Sequence, residues 1–257
     1  MTQPQDLNGK TVLLTGASGG IGSATAAALL AAGADLVAHY GSDREGALAA
    51  CSGASPDRYE LVQADLSQRG SSRALWRTAL DWRPRVDVVV VNAAIAPETP
   101  IEGGDEQWDD GWERTMRVNV LEPASLVREA VRHFLEHGGG TLITLSSWAA
   151  QRGSAIPQLT AYASSKAAVR TLTQTIARNH ARDGILAYVV APGIVRTPMS
   201  EISATFRGGL DAVNAALAMG EMVEPEEVAE LIAFLAGGSM RHLSGATLDV
   251  NGASYIR

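Results

Sequence analysis

A single cysteine, Cys51, leaves this chain of 257 residues unable to close an internal disulfide, so a packed core has to hold it together. Basic residues are in deficit. With 21 Lys and Arg against 28 Asp and Glu, the formal charge of −7 offers no footprint for nucleic acid or an anionic membrane surface. No apolar run approaches a membrane span, and residues 1–10 are polar, without an apolar stretch of signal-peptide size. No Pro/Ser-rich linker, internal repeat or low-complexity tract divides the chain. These absences predict one domain over residues 1–257, cytoplasmic, with a small molecule as partner. Apolar residues at 46% and charged ones at 19% are enough for a large core.

Glycine, by contrast, is plentiful and placed. Thr15-Gly16-Ala17-Ser18-Gly19-Gly20-Ile21-Gly22 follows the apolar run Val12-Leu13-Leu14 and opens an alanine-rich segment, which reads as strand, tight turn and helix start. Such a turn lets phosphates approach the backbone in front of a helix N-terminus, whose free N–H groups and dipole favour an anion. A P-loop is excluded because Ser23 stands where it needs Lys. The G-x-G-x-x-G fingerprint is excluded because Ser18 stands where its second glycine belongs. What remains is Gly16-x3-Gly20-x-Gly22, a candidate nucleotide seat that includes Ser18 and Ile21; the competing reading is an ordinary glycine-rich βα turn.

Strands are predicted at 12–14, 35–40, 59–63, 86–91, 141–145, 186–190 and 246–250, and helices at 23–32, 43–50, 71–81, 112–137, 162–182 and 226–235. Residues 97–110 read as a loop. The nearly unbroken valines of 86–91 suit a strand covered on both faces. This alternation predicts an α/β fold, a doubly wound parallel sheet of the Rossmann type with about seven strands and a ligand crevice at their carboxyl ends.

Tyr162-Ala163-Ser164-Ser165-Lys166 places a phenol and an ammonium on one helix face, one turn apart. An unperturbed tyrosine titrates near ~10, and a neighbouring cation favours the phenolate that a general acid or base needs at working pH. A solvated helix face is the plainer reading of the same spacing. His133 to His137 fits the H-x-x-E-H zinc pattern, but three glycines follow at once and no third ligand is evident, so no metal is expected. Trp148 is a candidate for a pocket wall.

Together with Asn92-Ala93-Ala94, Asn119, Ser146-Ser147, Pro192-Gly193 and Thr197, in that order, these motifs resemble the series of the classical short-chain dehydrogenases/reductases, from Lys10 to Gly252. The resemblance implies an NAD(P)-dependent oxidoreductase that moves a hydride between a nicotinamide cofactor and a carbonyl or secondary alcohol, 3-oxoacyl-reductase-like or acting on a small ketone or alcohol. A noncatalytic nucleotide sensor on the same fold is the alternative. The resemblance gives Tyr162 the substrate proton, Lys166 the ribose hydroxyls and the phenol's pKa, Ser147 the carbonyl oxygen and Asn119 a relay water. Asn119 as a helix residue binding a carbonyl, and Ser147 as a serine finishing a strand, are the plainer readings. Asn92, Ala93 and Ala94 would lie beside the cofactor. Asp65, next to Leu66, would meet the adenine amino group or cap a helix. Beyond Pro192 and Gly193, Ile194 and Thr197 would meet the carboxamide, or Thr197 would cap a helix. Residues 198–222 would form a substrate lid, and the long helices would pair into a homotetramer.

Three departures stand out. Ser147 and Tyr162 are fifteen residues apart, a lengthened loop that makes Ser146 a rival serine. Ala94 replaces a usual glycine, and residues 103–110 look extended. The end of strand two, where NAD-preferring members carry an acid, holds Tyr40, and Ser42 and Arg44 follow it. NADP(H) is therefore favoured over NAD(H), although Gly19 lacks the basic residue of many NADP users and Asp43 stands ready to offset Arg44.

Overall fold

The computed structural model describes residues 6–256, apart from the side chains of 202, 203 and 206, so residues 1–5 of the polar stretch 1–10 lie outside the described residues. Its first half runs β1 (Thr11–Thr15), α1 (Gly20–Ala31), β2 (Asp35–Tyr40), α2 (Arg44–Ala50), β3 (Tyr59–Gln63), α3 (Ser71–Trp82), β4 (Val88–Val91), α4 (Asp105–Met116) and α5 (Glu122–Glu136). Then come β5 (Gly140–Leu145), α6 (Ala149–Arg152), α7 (Thr160–His180), β6 (Ile185–Pro192), α8 (Pro198–Ala204), α9 (Leu210–Ala215), α10 (Pro225–Ala236) and β7 (Thr247–Val250). The described strands form one seven-stranded sheet in the order β3-β2-β1-β4-β5-β6-β7, every pair parallel. The order reverses between β1 and β4, which opens the crevice where such sheets bind ligands. Among the described residues no helix is long and apolar enough to cross a membrane.

The valine strand shows how the layers form. Successive side chains of a strand point to opposite faces. Val88 and Val90 therefore enter the core under α1 and α10, with Leu29, Val228 and Ile232, while Val89 and Val91 enter the core under α3 and α5, with Leu75, Leu126 and Phe134. Both faces are dry, so the run has no reason to alternate.

The expected loop at 97–110 is corrected: α4 begins at Asp105, where Gly104 is extended and Asp105 and Glu106 meet the positive helix end. The single helix expected over 112–137 is also corrected. Residues Arg117–Leu121 are wound as a π-helix, and α5 restarts with Pro123 in its first turn. The lengthened loop before Tyr162 folds into α6 and a 3-10 turn, Pro157–Leu159.

Two polar groups join elements that sequence distance separates. Glu122 accepts from the N–H groups of Gly70 (2.9 Å) and Ser72 (3.0 Å), capping α3 from α5 where Gly70 itself has no side chain to do so. Burial pushes this carboxyl up, but the N–H groups of Ser72 and Gly70 hold it below its ordinary value. His39 is buried near the end of β2. Its Nδ1 accepts from Gly16 N–H (3.0 Å), which leaves Nε2–H to donate to the Ala64 carbonyl (2.9 Å). The imidazole is thus a neutral brace between the glycine turn and the end of β3.

Burial lowers the pKa of His39, and burial with the stacked His137 lowers that of His133, both from 6.5. The contribution is complete above 6.5 and is lost as pH falls toward the depressed folded values, because the unfolded chain takes up protons that the folded one refuses. Urea denaturation is expected to show stability falling below pH 6.5, by up to about 1.4 kcal/mol per pH unit for each histidine, with a shallower slope in His39→Gln. The same slope in wild type and His39→Gln contradicts the brace.

Candidate active site

The seat at the end of β1 is built by exclusion of side chains. Gly16 (φ +74°) and Gly20 (φ +53°) occupy the left-handed region. A Cβ on Gly22 would overlap the Gly16 carbonyl oxygen, and one on Gly20 would come within 3.0 Å of Thr197 Cγ2. The turn therefore curls tightly enough to present the start of α1, with Ser18 and Ile21 half-buried beside it, to the crevice. These features fit a dinucleotide's phosphates: a cradle that a Cβ would fill, placed at a helix N-terminus and a topological switch point.

β4 fixes the floor of the cradle. Asn92 Nδ2 donates to the Thr15 and Gly16 carbonyls (3.0 Å each), and Thr15 Oγ1 accepts from the N–H groups of Asn92 (2.9 Å) and Ala93 (3.1 Å). The Asn92 amide is therefore committed to the turn, and it acts on a cofactor through the backbone it holds. Ala94 is half-buried next to it.

Tyr162, Ser147 and Lys166 come together between the end of β5 and α7. Tyr162 is half-buried at the start of α7, and the nearby Ser147 hydroxyl favours its phenolate. Ser147 follows the end of β5, and its Oγ also accepts from Ala149 N–H at 3.2 Å. The neighbouring Ser146 turns the other way and donates to the Lys166 carbonyl at 2.8 Å, while Lys166 Nζ donates to the Leu145 carbonyl at 2.8 Å. Residues 145–147 and α7 are thereby clamped. Lys166 is one of the chain's two lysines, and burial lowers its ammonium from 10.5 to about 8, so near neutral pH it stays a cation with its Nζ 5.8 Å from the Tyr162 ring centroid. Burial raises the Tyr162 phenol above 10, and the Ser147 hydrogen bond draws it part of the way back.

Asn119 lies in the π-helical segment. Its Oδ1 accepts from Ile95 N–H (2.9 Å), and its Nδ2 donates to the Ile95 carbonyl (2.8 Å) and Ser165 Oγ (3.0 Å). Both amide hydrogens are used, so the side chain fastens the loop after β4 to α7.

The outer contacts sort differently. Tyr40 is buried at the end of β2, while Ser42 and Arg44 are exposed. Asp43 does not pair with Arg44; its carboxylate caps α2 by accepting from Gly46 N–H at 2.8 Å, and Gly46 packs on the Ser18 carbonyl. Arg44 therefore heads a helix that abuts the glycine turn, and among the described residues it has no ion pair. The helix-cap reading of Asp65 is corrected: it closes the turn beside buried Leu66 through Ser67 N–H (2.9 Å), and Glu122 caps α3 in its place. Thr197 Oγ1 accepts from Ser200 N–H (3.3 Å), a cap for α8 that keeps its methyl against Gly20. Pro192 and Gly193 end β6, where Asn251 and Trp148 pack on Gly193, and the Ile194 carbonyl takes Val223 N–H at 3.0 Å.

Sequence reasoning missed the support behind Tyr162. Thr99 N–H donates to the Gln158 carbonyl (2.7 Å) and the Thr99 and Thr160 hydroxyls share a hydrogen bond (2.8 Å), which ties the loop after β4 to the first turn of α7. It also missed Arg152 and Arg207, which line a cavity with Trp148. No local spacing announces these pairs.

Residues 16–253 match the family model described as enoyl-(acyl carrier protein) reductase. The chain is 35% identical to 3β-hydroxysteroid dehydrogenase 1 of Eggerthella lenta, over 98% of this chain and 95% of that protein. It is similar to the solved 3-ketoacyl-(acyl-carrier-protein) reductase of Brucella melitensis complexed with NADH, with a TM-score of 0.85 and 27% identity over 98% of this chain and 100% of that one. A solved protein from Beutenbergia cavernae with bound NADP gives a TM-score of 0.88 and 30% identity over 98% and 99% of the two chains.

Tyr162→Phe is expected to keep nucleotide binding, followed by cofactor fluorescence, while turnover falls by about 10²–10⁴-fold. Ser147→Ala should cost turnover far more than Ser146→Ala, whose hydroxyl faces the Lys166 carbonyl. Equal kinetics for the two serine variants would show that the wrong hydroxyl has been assigned.

Proposed function

We propose that this chain, which belongs to the short-chain dehydrogenase/reductase family, works at this crevice with Tyr162 as proton donor and acceptor. It is an NAD(P)-dependent oxidoreductase of carbonyl and alcohol groups. The observation that carries the assignment of residues is the grouping of Tyr162 with Lys166, whose Nζ lies 5.8 Å from the phenol ring centroid, and with the Ser147 hydroxyl, which favours the phenolate. When bound, the nicotinamide supplies or accepts the hydride. In reduction, Tyr162 Oη gives its proton to the carbonyl oxygen as that oxygen gains charge, and Ser147 Oγ donates a hydrogen bond to the same atom. In oxidation the phenolate takes the alcohol proton. Lys166 stabilises that phenolate and reaches the ribose hydroxyls, and Asn119 keeps the α7 side of the crevice in register.

Residues 16–22, 92–94 and 192–194 with Thr197 would hold the nucleotide, and Asp65 and Leu66 would meet its adenine. Residues 198–222 act as the substrate lid. Their ends are pinned by the Val195–Val223 bridge, and Val213 and Met222 are buried in a small core with Ile194, so these apolar groups serve the lid's own fold. The enzyme is cytoplasmic. NADP(H) is the preferred cofactor because Tyr40 leaves the end of β2 without an acid and Arg44 is exposed and unpaired beside the turn, its planar fork suited to a 2′-phosphate. The relatives that carry NADH and NADP leave both cofactors in play for the test.

A screen of ketones and alcohols with both cofactors is expected to give turnover with NADPH ahead of NADH. Arg44→Ala should raise the KM for NADPH about tenfold and leave that for NADH within a factor of about two, as loss of one charge-assisted contact implies. An equal rise for both, or a wild-type preference for NADH, overturns the cofactor assignment. The α4–α5 and α7 helices are proposed to pair across two-fold axes into a homotetramer. Light scattering should then give four times the 26.9 kDa of one chain, and a stable monomer at micromolar concentration would contradict this.

A further inference from the structure

A cavity of about 330 Å³ is lined by Trp148 and by Ala149, whose N–H donates to Ser147 Oγ at 3.2 Å. One wall starts at Trp148, whose N–H donates to the Pro192 carbonyl at 3.0 Å and whose ring packs near Gly193, so it is fixed to the end of β6. The opposite wall comes from the lid, between residues 207 and 217. Arg152 from α6 and Arg207 from the lid both line the cavity.

Its chemistry is one-sided. Among the described residues no carboxylate lines the cavity and neither guanidinium has an ion pair. The other polar groups are the hydroxyls of Ser154 and Ser254, which accept from Ile156 N–H (3.0 Å) and Ala218 N–H (3.1 Å). Arg152 lies against the rings of Trp148 (5.1 Å) and Tyr255 (5.7 Å), contacts that orient a guanidinium without consuming its N–H donors. Burial and the charge of Arg152 both depress the pKa of Arg207, so the two cations repel each other in a partly dry space. In a chain of net charge −7, a cavity whose described charges are positive alone gains most from a bound anion.

We infer that this cavity is a substrate subsite for an anionic group: the compound turned over at Tyr162 carries a carboxylate or phosphate that Arg152 and Arg207 receive. The inference rests on the oxidoreductase reading and adds the substrate's chemical class. Arg152 ends α6, one turn beyond Trp148, which directly follows Ser147, so an oxo acid with ketone and acid on one short chain is the probe to use.

The experiment compares 5-oxohexanoate, its methyl ester and 4-oxopentyl phosphate as substrates for wild type, Arg152→Gln, Arg207→Gln and the double variant, with calorimetry of unreactive hexanoate and hexanamide alongside. An anionic ketone should exceed the ester in kcat/KM by about tenfold or more in wild type, and the ratio should collapse in the double variant. Which of the acid and the phosphate leads identifies the anion. Hexanoate should bind wild type measurably more tightly than hexanamide, and the double variant should lose that difference. Normal turnover with no preference for either anion, or a preference unchanged in the double variant, overturns the subsite and leaves the oxidoreductase reading standing. No turnover of any ketone or alcohol, with arginine-dependent binding of hexanoate retained, overturns the oxidoreductase reading and with it the assignment of this group to a substrate.

Discussion

Nothing larger than hydrogen fits on the α-carbon of residue 22, because the Gly16 carbonyl oxygen occupies the space a Cβ would need. That contact sets how sharply the chain turns from β1 into α1, and so where the free N–H groups of α1 point. The surrounding structure is organised to keep it. Asn92 donates twice into the turn from β4, Thr15 returns two bonds to β4, and His39 joins Gly16 to the end of β3. The turn is thus held from both of its neighbouring strands, at the point where the sheet changes direction.

The second organising contact is the clamp between β5 and α7. Ser146 and Lys166 exchange side chain for backbone across it, Ser146 to the Lys166 carbonyl and Lys166 to the Leu145 carbonyl. One ammonium therefore keeps a buried hydrogen bond and stays close to the phenol. Asn119, carried on a π-helical segment, and the Thr99–Thr160 pair join the loop after β4 to the same helix. A π-turn costs regular helix hydrogen bonding, and such turns collect at functional sites because they re-aim a side chain by a fraction of a turn. Here it brings Asn119 onto Ile95 and Ser165.

These restraints hold the glycine turn and the start of α7 from several elements, whereas the cavity next to Trp148 is lined by residues from distant parts of the chain. Trp148 and Arg152 at α6, Arg207 and, near the C-terminus, Tyr255 come from three separate stretches of chain. Binding chemistry on loops positioned by a fixed scaffold is how one fold serves many substrates.

The strand–helix alternation, the parallel sheet, the glycine seat and the Tyr162–Lys166 pair were legible in the sequence. Each depends on residues a few positions apart, where periodicity 2 or 3.6 and the demand for glycine act directly on the chain. The start of α4 at Asp105 was missed because Pro- and Gly-rich residues before it outweighed two acids in its first turn. The cap on α3 was missed because Glu122 reaches it across fifty residues. Tertiary structure alone decided which of two adjacent serines faces Tyr162, that Asp43 caps α2 and leaves Arg44 without an ion pair among the described residues, that His39 is a brace, and that two arginines far apart in the chain share one cavity. In each case the partner lies on another element, so the outcome depends on packing distances that local sequence does not encode.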